Sequence, residues 1–144
     1  MFPANYFETT SNGYKLFFDE IIQSICLRWK GYIPLSLHEE SMLAVLDLVK
    51  ERKTKLILLD TSAISFLSKE NHQWVADIWL PRLADIIDES CYIAYVLSRN
   101  DFSREAVEII NEKVLTPNPQ LRQKYFNNLV EARAWLFDNT SQQK

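Results

Sequence analysis

Hydrophobic positions along this chain switch between a period of two and a period near 3.6, and the switches divide it into strands and helices. Met1 to Asn12 reads as an extended lead-in ending at the Asn12-Gly13 turn signal. Tyr14, Leu16 and Phe18 then alternate with Lys15, Phe17 and Asp19, as a strand requires. After a turn at Asp19-Glu20, Ile21, Ile25, Leu27 and Trp29 share one face of a second strand, so the chain opens with an antiparallel pair. Gly31 to Leu35 closes that strand. Ser36-x-x-Glu39 has the form of a capping box, and the helix it predicts carries Met42, Val45, Leu46 and Val49 on one face.

Leu56-Ile57-Leu58-Leu59 is apolar without interruption, the signature of a strand covered on both faces. It is expected to end at Asp60, where a polar loop begins. Ser68 is a good N-cap for a helix through Trp74, Val75, Ile78 and Trp79, which Pro81 should kink or restart because it cannot donate to residue 77. Leu83, Ile86 and Ile87 prolong the stripe. Tyr92 to Leu97 is a second buried strand. Asp101 or Ser103 caps a helix with Ala106, Ile109 and Ile110 inward, and Thr116-Pro117-Asn118-Pro119 is a loop. Lys124-Tyr125-Phe126 suggests a short edge strand, and Asn128-x-x-Glu131 caps a last helix with Leu129, Ala132 and Leu136 on one face. The order β-β-α-β-α-β-α-β-α implies an α/β domain over residues 1–137. Its sheet is mixed and mostly parallel, with about five strands, about four helices and right-handed crossovers. Residues 138–144 are polar and read as a disordered tail.

Composition narrows the function classes. The 144 residues carry a net charge of −3, which gives no general attraction to nucleic acid or to an anionic membrane. No apolar run reaches the ~18 residues of a membrane span, and the N-terminus lacks a signal peptide's basic and apolar regions. With only Gly13 and Gly31, a phosphate-cradling loop is not available. Cys26 and Cys91 both lie in strand-like runs and read as buried thiols in a reducing cytoplasm. No Gly-x-Ser-x-Gly elbow occurs, and neither cysteine has a histidine at metal-ligand spacing. His38 and His72 fall in helix first turns among polar neighbours and are expected to be exposed. No cofactor is implied. The run Lys50 to Lys55 reads as cations set against a helix C-terminus rather than as a contact patch.

Four features together carry a resemblance. They are the opening strand pair closed by Trp29-Lys30-Gly31, the strand ending in Leu59-Asp60-Thr61, the segment His72-Gln73-Trp74-Val75 to Trp79-Leu80-Pro81-Arg82, and the final Tyr125-Phe126 to Glu131-Ala132-Arg133-Ala134-Trp135-Leu136. This pattern resembles small bacterial proteins of the STAS or CRAL-TRIO-like type, with the SpoIIAA-like fold of sporulation anti-sigma-factor antagonists, over about Tyr14 to Phe137. The resemblance implies a regulatory module that works by binding a partner protein. In the antagonist branch the switch is a serine in an Asp-Ser-Ser-Gly motif, phosphorylated by the partner kinase. The matching region here, Thr61 to Lys69, contains neither Asp-Ser-Ser nor glycine; Ser65 and Ser68 lie nearest by position.

In open α/β sheets ligands gather beyond the carboxyl ends of the parallel strands. That edge should collect Asp60, Thr61 and Ser62 with Ser98, Arg99, Asn100 and Asp101. The functional reading is a partner or small-ligand surface with Ser65 or Ser68 as its switch; the plain one is that these groups cap turns and helices. Trp74 and Trp79, five apart, cannot share one narrow stripe. Both are candidates for a ligand pocket or an interface; one, Trp74 by preference, is expected in the core and the other near an edge or partner. A response-regulator receiver, with Asp60 as phospho-acceptor and Asp19-Glu20 as its Mg²⁺ pair, fails because a strand follows Asp19-Glu20 where a receiver needs a helix. The expectation is a non-catalytic cytoplasmic module that binds another protein or a second copy of itself. The alternative is a carrier for a small apolar or lipid-like ligand beneath the Trp74 helix.

Overall fold

The computed structural model of the protein describes residues 8–11, 13–97 and 120–141. Six strands form one sheet: β1 (Glu8–Ser11), β2 (Tyr14–Asp19), β3 (Ser24–Tyr32), β4 (Leu56–Phe66), β5 (Cys91–Val96) and β6 (Leu121–Phe126). They lie side by side in sequence order. The pairs β1–β2 and β2–β3 are antiparallel, and β3–β4, β4–β5 and β5–β6 are parallel. The expected mixed, mostly parallel sheet is present, one strand larger than expected because part of the lead-in pairs as β1. At the Asp19-Glu20 turn the Asp19 carboxylate accepts from the amides of Ile21 and Ile22 (3.0 and 3.4 Å). The turn throws Ile21 into water, so the stripe expected to begin there begins at Ile25.

Three helical segments precede β5 or follow β3: α1 (Leu35–Arg52), α2 (Lys69–Trp74) and α3 (Leu80–Ile86), the last two joined by a π turn over Val75–Trp79. After β6 comes α4 (Leu129–Ser141). The helix expected around Ala106 to Ile110 lies outside the described residues. α1 starts at Leu35 with Pro34 in the N-cap position and no side-chain cap, two residues ahead of the expected Ser36 box. Pro34 already holds the extended angles an N-cap needs, which places Ser36 inside the first turn. Ser68 does cap α2, in a reciprocal box with Asn71. Pro81 restarts the helix as expected. Ahead of it the ladder shifts by one residue, and the Leu80 amide donates to the Val75 carbonyl. α4 continues past the expected tail boundary: Asp138 to Ser141 are helical, and the side-chain Nδ2 of Asn139 donates to the Trp135 carbonyl at 2.8 Å.

The layers are helix, sheet, helix. α1 with α2–α3 covers one sheet face over Leu16, Ile25, Leu27, Ile57, Leu59 and Ile93. Val45, Met42, Val49 and Leu83 enter this core, and so does Trp79. Trp79, not Trp74, is the fully enclosed indole; its Nε1 donates to the Met42 carbonyl at 2.7 Å. The opposite face packs α4 through Ala132 and Leu136 onto Cys26, Leu58, Ala94 and Val96. Arg133 pins this helix to the β2 turn by an ion pair with Asp19 at 2.9 Å. Burying a leucine-sized side chain is worth about 1.5–3 kcal/mol, so the α1 face, with the larger cluster, dominates stability.

β4 is where the structure departs most from expectation. It does not end at Asp60 but runs six residues further, to Phe66. β5 leaves it at Asp60, yet β3 keeps pairing with it through Lys30–Ala63, Gly31–Ile64 and Tyr32–Phe66. Two register shifts, between Arg28 and Lys30 and between Gly31 and Tyr32, let the strands stay in step. Gly31 has φ of +82°, a conformation glycine adopts without a Cβ penalty. Among the described residues, no helix is long and apolar enough to cross a membrane.

Candidate functional site

The carboxyl end of the β3–β4 pair presents different chemistry on its two faces. On the α4 side, α4 packs against β4, β5 and β6 and leaves the end of β3 open to water. Arg28, Lys30 and Tyr32 alternate outward along β3 and are exposed. Tyr32 is 62% exposed and Phe66, its partner across the ladder, 41%. Their rings stack 6.0 Å apart, 17° from parallel. Asp60 belongs to this side. It is buried, its Oδ2 lies 3.2 Å from Arg28 Nε, and its Oδ1 accepts from the Ser62 amide and hydroxyl (3.0 and 2.5 Å). This is an Asx-type arrangement completed by an ion pair, and it satisfies the carboxylate locally.

On the other side, the carboxyl halves of β4, β5 and β6 meet α1 and the α2–π segment around a cavity of about 50 Å³. Thr61, Tyr95 and Gln123 form its floor, with His38 and Met42 from α1 and His72, Val75 and Leu80 above. Thr61 therefore parts from Asp60 and Ser62, because successive strand residues face opposite ways; its hydroxyl donates to the Val96 carbonyl at 2.5 Å. Tyr95 donates to Gln123 Oε1 at 2.7 Å and stacks on Tyr125 at 4.7 Å. Burial raises both phenols above their ordinary range; for Tyr95 the neighbouring Tyr125 adds to it.

His38 and His72 are not exposed. They are 2% and 8% accessible. His38 lies 5.5 Å from the Trp29 ring and 6.1 Å, edge-on, from Trp74. Burial, with the neighbouring His72, lowers His38 to about 3, and burial lowers His72 to about 4, so both are neutral imidazoles near neutral pH. His38 Nδ1, His72 Nε2 and Gln123 Nε2 are buried without a hydrogen-bond partner. Three such atoms around one cavity are uncommon, since nearly all buried polar groups are paired.

The remaining expected site residues scatter. Ser65 is exposed on the extension of β4 beside Phe66. Ser68 is half-buried, and its hydroxyl is engaged with Asn71. Arg99 lies outside the described residues, as do Ser98, Asn100 and Asp101. Trp74 is partly buried against His38, and Trp79 has no part in the cavity or the surface. The thiols of Cys26 and Cys91 are buried and pushed up to about 12, Cys26 by burial and then Asp19, Cys91 by burial. Among the described residues no group of three or more His, Cys, Asp or Glu is placed to hold a metal ion. At the basic exit of α1, Lys53 closes the helix in the left-handed conformation and Lys55 pairs with Glu89. A groove of about 290 Å³ there is lined by both signs of charge.

From the sequence His38 and His72 read as exposed, and nothing there singles out Tyr32 or Phe66. The histidines did carry a signal: His38 precedes Met42 by four and Val45 by seven, and His72 precedes Val75 by three and Trp79 by seven, so both continue an inward stripe.

No family model matches the chain, and no curated protein matches it. Among solved structures it is similar to an uncharacterised protein of the DUF3478 family with a SpoIIAA-like fold, from Shewanella loihica PV-4. The TM-score is 0.54 at 14% identity, over 89% of this chain and 97% of that one. The six-stranded sheet, its helices on both faces and this likeness together show an α/β domain with a SpoIIAA-like fold.

Proposed function

We propose that the protein is a non-catalytic regulatory module that binds a partner protein through the open end of β3 and β4. The observation that carries this is the stacked Tyr32–Phe66 pair held in water beside Lys30. Aromatic side chains dominate interface energetics, and two rings held by a strand ladder lose little conformational freedom on docking. The pair occupies the carboxyl end of parallel strands, where partners and ligands of open sheets gather. A resident lipid-like ligand beneath the Trp74 helix is disfavoured by volume: about 50 Å³ is far below the ~300–1,000 Å³ of drug-sized ligand sites.

Ser65 is the serine best placed to act as the switch. Exposed beside Phe66, a phosphate there would put about two negative charges at an apolar contact and oppose docking. The test is photo-crosslinking in the native host, with the reactive side chain at position 66 and a control at exposed Ile21. A discrete product from position 66 alone, lost in Tyr32→Ser and in Ser65→Glu, supports the reading. A product at twice the chain's mass would make the partner a second copy. The same products from both positions would sink the proposal.

A further inference from the structure

We infer that the cavity between α1, the π turn and the carboxyl halves of β4 to β6 is a binding site for a compact, uncharged molecule, or molecular end, that offers both a hydrogen-bond acceptor and a donor, as a primary carboxamide does. The site lies across the sheet from the Tyr32–Phe66 pair and does not rest on the partner-binding reading.

Four observations converge. First, the cavity is lined by Trp29, Leu59, Leu67, Tyr95 and Tyr125 among others, and none of the described residues that line it is Asp, Glu, Lys or Arg. An ion entering it would lose its hydration and meet no counter-charge among these residues, so they favour an uncharged occupant. Second, His38 Nδ1, His72 Nε2 and Gln123 Nε2 are buried and unpaired at this one place. Because Gln123 Oε1 already accepts from Tyr95, the Gln123 amide is left as a donor, and the ligand must present an acceptor. The neutral imidazoles each carry one donor and one acceptor, so an amide's N–H groups and its oxygen can both be met. Third, a cavity of about 50 Å³ exceeds the ~10–15 Å³ that one water needs but is smaller than the ~150 Å³ that admits benzene, which limits the occupant to a few heavy atoms. Fourth, Val75 and Leu80, at the two ends of the π turn, both line the space. A π turn adds one residue to a helix, and such turns concentrate at functional sites.

Leaving these polar atoms unpaired is costly, about 1–3 kcal/mol for each, and an apolar side chain would pack there without that cost. Water could satisfy the same atoms, but a site that serves only water has no reason to tell an amide from its isosteric anion. The experiment uses that difference. The ¹⁵N-labelled full chain is titrated with acetamide and separately with acetate, and the imidazole ¹⁵N signals of His38 and His72 are followed. The expected result is a saturable shift of both histidines with acetamide, at a Kd in the millimolar range or below, and at least about tenfold weaker binding of acetate. His72→Leu should weaken acetamide by about tenfold or more while the His38 signal stays at its folded position. Should that variant lose its folded spectrum, Gln123→Met carries the same expectation. The inference is overturned by a response to acetamide that stays linear up to about 100 mM, by an equal response to acetate, or by undiminished affinity in the folded variants.

Discussion

The two faces of the sheet at its carboxyl edge, over the ends of β3 and β4 on one side and over β4 to β6 on the other, make opposite compromises. On the α4 side two large aromatic rings stand in water; on the α1 side two imidazoles and an amide stand in hydrocarbon. Exchanging the two sets would lower the free energy of both faces. Elsewhere the sheet follows the ordinary rule: Ile25, Leu27, Ile57 and Ile93 are buried, and Asp60, the one buried carboxylate of the core strands, is fully engaged by Arg28 and Ser62. Departures from the rule at one end of the sheet, on both faces, are what the two proposed sites would require, since a fold gives up stability where binding requires it. The faces differ in what they suit. Rings in water fit a surface another protein will cover, whereas polar atoms in hydrocarbon fit something small enough to enter.

The largest expected effect concerns the imidazole face. In the unfolded chain both histidines titrate near 6.5; in the folded protein they are lowered to about 3 and about 4. Between those values the unfolded state binds protons that the native state refuses. Stability from this source is complete above pH 6.5 and is lost as pH falls. By pH 5 each histidine costs about 2 kcal/mol. Urea unfolding at pH 7 and pH 5 should show a drop of about 4 kcal/mol, and most of it should vanish when both histidines are replaced by glutamine. A drop unchanged in that double variant would show that the two sides are not distinguished by buried neutral imidazoles.

Next in size is Asp60→Ala, which removes the acceptor of the Ser62 amide and the partner of Arg28. A loss of about 2 kcal/mol in urea is expected, because the carboxylate is buried while Arg28 can rehydrate. Replacing His72 with Leu should move the other way and raise stability by about 1 kcal/mol, because an unpaired polar atom gives way to an apolar one. The smallest effect belongs to the aromatic face: Tyr32→Ser should change unfolding free energy by less than about 0.5 kcal/mol. A loss above about 2 kcal/mol there would make the ring pair a structural element, and the contrast between the faces would fall.

Much of the architecture could be read from the chain because local pattern and tertiary role agree. The unbroken Leu56 to Leu59 run is a strand covered on both faces, and the Met42, Val45, Leu46, Val49 spacing is the buried stripe of α1. Ser68 caps its helix because a short hydroxyl side chain does so wherever an apolar periodic run follows. The misreadings share a different cause. Thr61 to Phe66 is a strand only because β3 offers it a ladder, and nothing within those six residues announces the neighbour. His38 and His72 have polar sequence neighbours, yet Trp29 comes to one of them from a strand nine residues earlier, and the sheet supplies the rest of the enclosure. Trp74 and Trp79 exchange roles because the π turn adds a residue between the helix that begins at Ser68 and the one restarted at Pro81. The split of Asp60 and Ser62 from Thr61 was implicit in strand alternation once β4 is known to continue.

The strictly sequential strand order has a consequence for a chain emerging from synthesis. Each strand finds its partner already made, so the sheet can grow from one edge without waiting for later sequence. The exception comes at β5, Cys91 to Val96, an uncharged segment of high strand propensity whose second edge is closed by β6 across an intervening stretch of more than twenty residues. Until Leu121 to Phe126 arrives, β5 offers an apolar template to any neighbouring chain. Truncation ahead of β6 should accordingly yield aggregates rather than a smaller soluble domain.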